Sequence, residues 1–129
     1  MKETTMELEA ITVPGAPIPV APLSPAIRAS GLVFVSGQLP VDKTGAMPEG
    51  MPAQTRQCME NVKSLLEAAG TGLGRVVKCT VFITNMDDFA RMNEVYGRYF
   101  GEIPPARACV EVSRLAKNAL VEIEAIALA

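Results

Sequence analysis

The chain has no histidine and no tryptophan, and aromatic residues make up only 5% of its 129 positions. Without histidine, Ser-His and Cys-His nucleophilic catalysis are excluded, so acid-base work falls to carboxylates, lysine, tyrosine or water. The three cysteines, Cys58, Cys79 and Cys109, are odd in number, form no CxxC pair and have no histidine to work with, which removes disulfide-framework and zinc readings. Excess charge of one sign is also missing. Twelve basic residues face fourteen acidic ones, a net of -2, leaving no long-range field for nucleic acid or an anionic membrane. The balance favours a small-molecule partner. No apolar run approaches the roughly 18 residues of a membrane span, and Met1-Lys2-Glu3-Thr4-Thr5 lacks the layout of a signal peptide. A cytoplasmic location is the expectation.

What is present is aliphatic: hydrophobic residues form 49% of the chain, so the core must be built from Val, Ile, Leu, Met and Ala. The length suits a single domain over residues 1–129, which buries roughly two thirds of its unfolded surface on folding. Residues 8–13 alternate loosely and suggest a short strand. Residues 14–25 carry five prolines and read as an extended loop, because proline cannot donate to a strand ladder. Leu32-Val33-Phe34-Val35 predicts a strand buried on both faces, ending at Ser36-Gly37-Gln38, where the glycine lets backbone and ligand approach closely. Residues 53–69 place Met59, Val62, Leu65, Leu66 and Ala69 on one helical face, with Gly70 as the cap.

The β-branched run 76–84 predicts a central strand. Asn85 or Asp87 can cap a second helix with a stripe of Phe89, Met92, Tyr96 and Tyr99 or Phe100. Strands follow over 107–112 and 120–127. The order is hairpin, helix, strand, helix and two strands: an α+β fold whose mixed sheet carries two helices on one face. The other face carries aliphatic residues and needs cover, which predicts oligomerisation through it.

Alternation along a strand sends Arg107, Cys109 and Glu111 one way and Ala108, Val110 and Val112 the other. Glu122 and Glu124 share a face between the apolar Val121, Ile123 and Ala125, a setting in which desolvation raises a carboxyl pKa toward that of a general acid. The simplest alternative pairs Arg107 with Glu122 or Glu124 in a structural ion pair. On the same footing, Ser36 is a strand-end hydroxyl satisfying backbone, Cys109 a small buried hydrophobe, Lys78 a solvated or snorkelling charge, and Asn93 a polar residue on a helix surface.

Pro105-Ala106-Arg107-Ala108-Cys109-Val110-Glu111-Val112, followed by Leu120-Val121-Glu122-Ile123-Glu124-Ala125-Ile126-Ala127, resembles the signature of the Rid family, also called YjgF or reactive intermediate deaminase. Ser24-Pro25-Ala26 leading into Ser36-Gly37-Gln38, the first helix, the strand with Lys78, and Asp88-Phe89 to Tyr96 follow the family in order and spacing, so the likeness spans roughly residues 8 to 128. The resemblance implies a chorismate-mutase-like fold, a homotrimer with three clefts between neighbouring subunits, and no metal or organic cofactor. It implies hydrolysis of enamine and imine intermediates, such as 2-aminoacrylate released by pyridoxal-phosphate enzymes, to 2-keto acids and ammonia.

Carried over residue by residue, Arg107 would hold the substrate carboxylate and Glu122 would activate water, with the Cys109 backbone carbonyl as a second acceptor. Ser36 and Gly37 would line the cleft, and Asn93 and Lys78 would shape or support it. The likeness departs at Leu23, where many relatives with deaminase chemistry have a tyrosine before Ser-Pro. The pocket thereby loses a phenol donor and gains an apolar wall. Two other functions stand beside deamination: a non-catalytic trimer that binds small carboxylates or a partner protein, and an endoribonuclease or translation inhibitor. The acidic balance and missing histidine argue against the last.

Overall fold

A computed structural model describes residues 7–129. Leu8 leads into a short strand, β1 (Glu9–Ile11), and the proline-rich loop then runs to β2 (Ala26–Ala29) and β3 (Leu32–Gln38). The expected hairpin is therefore a three-stranded meander, β1 pairing with β2 and β2 with β3, all antiparallel. Sequence periodicity does not reveal β2, because four residues, Ala-Ile-Arg-Ala, are too few to display a period. Its signal was the two-residue turn Ser30-Gly31, with φ of 51° and 78°, the left-handed pair that closes a tight hairpin.

Helix α1 (Met51–Ala68) starts two residues before the expected boundary, with Pro52 in its first turn, where a missing N–H costs nothing. It buries Met51, Thr55, Cys58, Met59, Val62, Leu65 and Leu66, the i, i+3, i+4, i+7 face of an amphipathic helix. Gly70, at φ 85°, follows the helix end as expected. Strand β4 (Val76–Ile83), helix α2 (Phe89–Gly97) and strand β5 (Ala106–Glu111) form a β-α-β unit with β4 and β5 parallel. Asn85 accepts from the Asp87 N–H at 2.9 Å and caps the single 3-10 turn before α2. Tyr99 and Phe100 lie beyond the helix end rather than on it.

Strand β6 (Val121–Leu128) returns to the middle, giving the sheet order β1-β2-β3-β6-β4-β5. Val121, Ile123, Ala125 and Ala127 on β6, Cys79, Val81 and Ile83 on β4, and Val33 and Val35 on β3 meet the helices and are buried. Each large aliphatic side chain among them contributes roughly 1.5–3 kcal/mol of burial. The opposite face presents Phe34, Val110 and Leu128, each 41% exposed. No helix among the described residues is long and apolar enough to cross a membrane.

Candidate functional site

Arg107 lies near the start of β5, a strand at the sheet's edge. It is in register with Cys79 of β4, which is in register with Ala125 of β6. Cys79 and Ala125 both point into the helix-covered core, so Arg107 points to that side too. Its Nη1 donates to Asn93 Oδ1 of α2 at 2.7 Å. The guanidinium carbon stands 4.9 Å from the Tyr96 ring centre and 5.6 Å from that of Phe89.

The structural ion pair allowed by the sequence is not formed. Among the described residues no carboxylate pairs with Arg107, and its other N–H groups have no acceptor. The reason is the pleat: Glu122 is three residues from Ala125 and therefore faces the opposite side of the sheet. A half-buried guanidinium without a counter-charge is the most informative feature of the chain, since such a group ordinarily finds a carboxylate or a ligand.

Glu122 belongs to a second cluster. The β3–β6 ladder shifts register between Val35 and Gln38, a bulge of the kind that re-aims side chains beside functional sites. Ser36 and Gly37 occupy it. A Cβ on Gly37 would lie 2.0 Å from Glu122 Oε2, so the carboxylate occupies space that only glycine leaves open. Burial, and then repulsion from Glu124 on the same face, push the Glu122 carboxyl above its usual range.

The Ser36 hydroxyl donates to the Ser24 carbonyl at 2.6 Å, and its N–H to the Pro25 carbonyl at 2.9 Å. That fulfils the backbone-satisfying reading of Ser36 and ties the proline-rich loop to the cluster, leaving the hydroxyl's lone pairs free to accept. Leu23, 52% exposed, is next to Ser24 on that loop. From α1, the Cys58 thiol donates to the Gln38 and Val121 carbonyls, at 3.1 and 3.6 Å.

Of the remaining candidates, Cys109 joins the Arg107 cluster and Lys78 joins neither. Cys109 is two residues from Arg107 on the same face, and burial raises its thiol pKa while Arg107 opposes the shift. That keeps it a thiol, without nucleophilic character. Lys78 lies in register with Ile126 on the outer face, away from Arg107. The chain thus brings Arg107, Asn93 and Cys109 together, and separately Glu122, Gly37 and Ser36, but does not bring the two groups to one side. Two surface hollows, of about 510 Å³ around Arg28 and Ser30 and about 190 Å³ around Thr84 and Arg114, include neither group. Sequence reasoning missed Phe89 and Tyr96 as partners of Arg107, assigning both to a core stripe. Their spacing around Asn93, i, i+4 and i+7, was the available signal.

The architecture and site define a class: a two-helix, six-stranded α+β chain with an uncompensated arginine on an edge strand and a carboxylate lodged against a glycine bulge. The particular family is the one its signature resembles. Residues 14–129 match the family model described as Endoribonuclease L-PSP, and the chain belongs to this YjgF/RidA family. It is 54% identical over 121 residues to a RutC family protein of Pyrococcus horikoshii, covering 92% of this chain and 96% of the relative. It is 47% identical over 122 residues to a 2-iminobutanoate/2-iminopropanoate deaminase of Salmonella typhimurium, covering 92% and 95%. The crystal structure of E. coli TdcF with bound serine superposes with a TM-score of 0.89 at 42% identity, covering 94% of this chain and 98% of that one.

Proposed function

We propose that the chain hydrolyses 2-imino acids and their enamine tautomers to 2-keto acids and ammonia, in clefts between subunits of a homotrimer. The observation that carries this reading is Arg107: a half-buried guanidinium, with donors to spare and no internal counter-ion, is suited to a planar carboxylate. The deaminase name of the Salmonella relative and the serine held by TdcF support a small carboxylate ligand. An imine carbon is already electrophilic, so the reaction needs a held substrate, a positioned water and a proton carrier. Glu122 takes a proton from water as its oxygen attacks the C=N carbon. The same proton goes to nitrogen, giving a carbinolamine; Glu122 then takes the carbinol hydroxyl proton and delivers it to that nitrogen as the C=O forms, the C–N bond breaks and ammonia leaves. Each turnover consumes one imino acid and one water and yields one keto acid and one ammonia, with Glu122 returned to its starting state. The Cys109 carbonyl accepts from the attacking water or the amine.

Arg107 and Glu122 face opposite sides of one sheet, so a single chain cannot bring both to one substrate. A second copy must supply the missing half, which is the reason for proposing clefts between subunits. Leu23, beside the Glu122 group, then gives the cleft an apolar wall suited to aliphatic imino acids. The test is to generate 2-aminoacrylate and longer aliphatic imino acids in situ and follow imine loss. Faster loss with the protein is expected. Keto-acid binding by calorimetry without any turnover would instead make it a carboxylate-binding module. The family model's description raises RNA cleavage, but nothing in the geometry of Arg107 or Glu122 favours it.

A further inference from the structure

The partners of Arg107 share one property: none carries charge. Asn93 accepts at 2.7 Å through a neutral amide, and Tyr96 and Phe89 present ring faces at 4.9 and 5.6 Å. All three come from one stripe of α2, at i, i+4 and i+7. Tyr96 is only 5% exposed. Phe100 packs against the Tyr96 ring at a tilt, with 4.9 Å between ring centres, and the buried Tyr96 hydroxyl, beside the Cys79 thiol, has no hydrogen-bond partner of ordinary geometry. A tyrosine whose hydroxyl is so poorly used is present for its ring.

We infer that Phe89, Asn93 and Tyr96 form a charge-neutral clamp of positioning residues, which fixes the Arg107 guanidinium while leaving its full positive charge for an anionic ligand. An arginine side chain has many rotamers, and most must be given up when a carboxylate binds. Holding it beforehand transfers that cost to folding. A carboxylate could hold it as firmly, but would neutralise the charge the ligand needs. Aromatic quadrupoles and an amide oxygen attract a guanidinium without forming an ion pair. The inference rests on Arg107 being the carboxylate anchor, and adds how that anchor is kept available.

The test is 2-oxobutanoate binding to the assembled protein, measured by calorimetry at neutral pH, with circular dichroism and melting as folding controls. Asn93→Asp keeps the acceptor's shape and adds a counter-ion. It is expected to weaken binding at least about 10-fold without lowering Tm, a pairing that a merely structural role for Asn93 does not produce. Phe89→Leu, at a site 37% exposed and so tolerant in folding, should weaken binding about 3- to 10-fold, and this loss should vanish in an Arg107→Lys background. Tyr96→Phe, which removes only the hydroxyl, should bind within about 2-fold of wild type. Wild-type affinity in both Asn93→Asp and Phe89→Leu overturns the clamp and leaves the anchor standing. Absence of keto-acid binding in the wild type overturns the anchor itself.

Discussion

At the level of single residues, the two clusters differ in how legible they were. Arg107 and Glu122 were identified from a signature, but their separation by the pleat followed only from register, because it depends on which strands become neighbours. Gly37 was expected to let a ligand approach the backbone closely; in the structure the Glu122 carboxylate takes that space. A methyl group there would lie 2.0 Å from Glu122 Oε2 and 2.8 Å from Cδ. Since the atoms to be displaced end a flexible side chain, Gly37→Ala should cost no more than about 1 kcal/mol in denaturant melts. Imine hydrolysis should nevertheless fall at least about 10-fold, by loss of a positioned base. Full activity in Gly37→Ala would show that this carboxylate position is not used.

The raised pKa of Glu122 fixes a pH dependence. If its ionised form is the base, activity rises with pH through that pKa, so the acid limb of kcat/KM lies above the ordinary value of 4.5. Burial is the larger cause and Glu124 the second. Glu124→Gln should therefore shift the limb to lower pH without bringing it to 4.5. The stability sign agrees: a carboxyl with a raised native pKa favours the fold below its unfolded pKa, and that contribution is lost as pH rises through the native one. A pH profile identical in Glu124→Gln and wild type would contradict the coupling.

Among the elements, periodicity located the helices and the long strands, because their buried faces repeat over many residues. It could not locate β2, which is short, or foresee that β6 inserts between β3 and β4. Long-range pairing of that kind leaves little local trace. One polar residue does much to hold the inserted strand in place. Gln54, 4% exposed on α1, accepts from the Leu120 N–H at 2.8 Å and donates to the Pro48 carbonyl at 3.0 Å. Gln54→Ala leaves both backbone groups without that partner and should destabilise the fold by about 2–4 kcal/mol, read as a fall in denaturation midpoint. A change below about 0.5 kcal/mol would mean that water replaces both bonds.

For the molecule as a whole, the sheet's outer face is where the proposed function ties assembly to activity. Composition and pattern pointed to that face as one needing cover, and the structure leaves Phe34 and Val110 there at 41% exposure. Phe34→Asp places a charge on it and should shift the light-scattering mass toward the monomer. On the proposed divided site, turnover should fall in proportion. A monomeric variant with full activity would contradict the divided site.

Everything proposed for the site depends on Arg107 anchoring the substrate's carboxylate. The decisive comparison sets wild type against Arg107→Ala on 2-aminoacrylate generated in situ. Wild type should accelerate imine loss, and kcat/KM should fall about 30- to 1000-fold in the variant, the loss of a charge-assisted bidentate contact worth roughly 2–4 kcal/mol. An Arg107→Ala protein as fast as wild type would contradict the anchor.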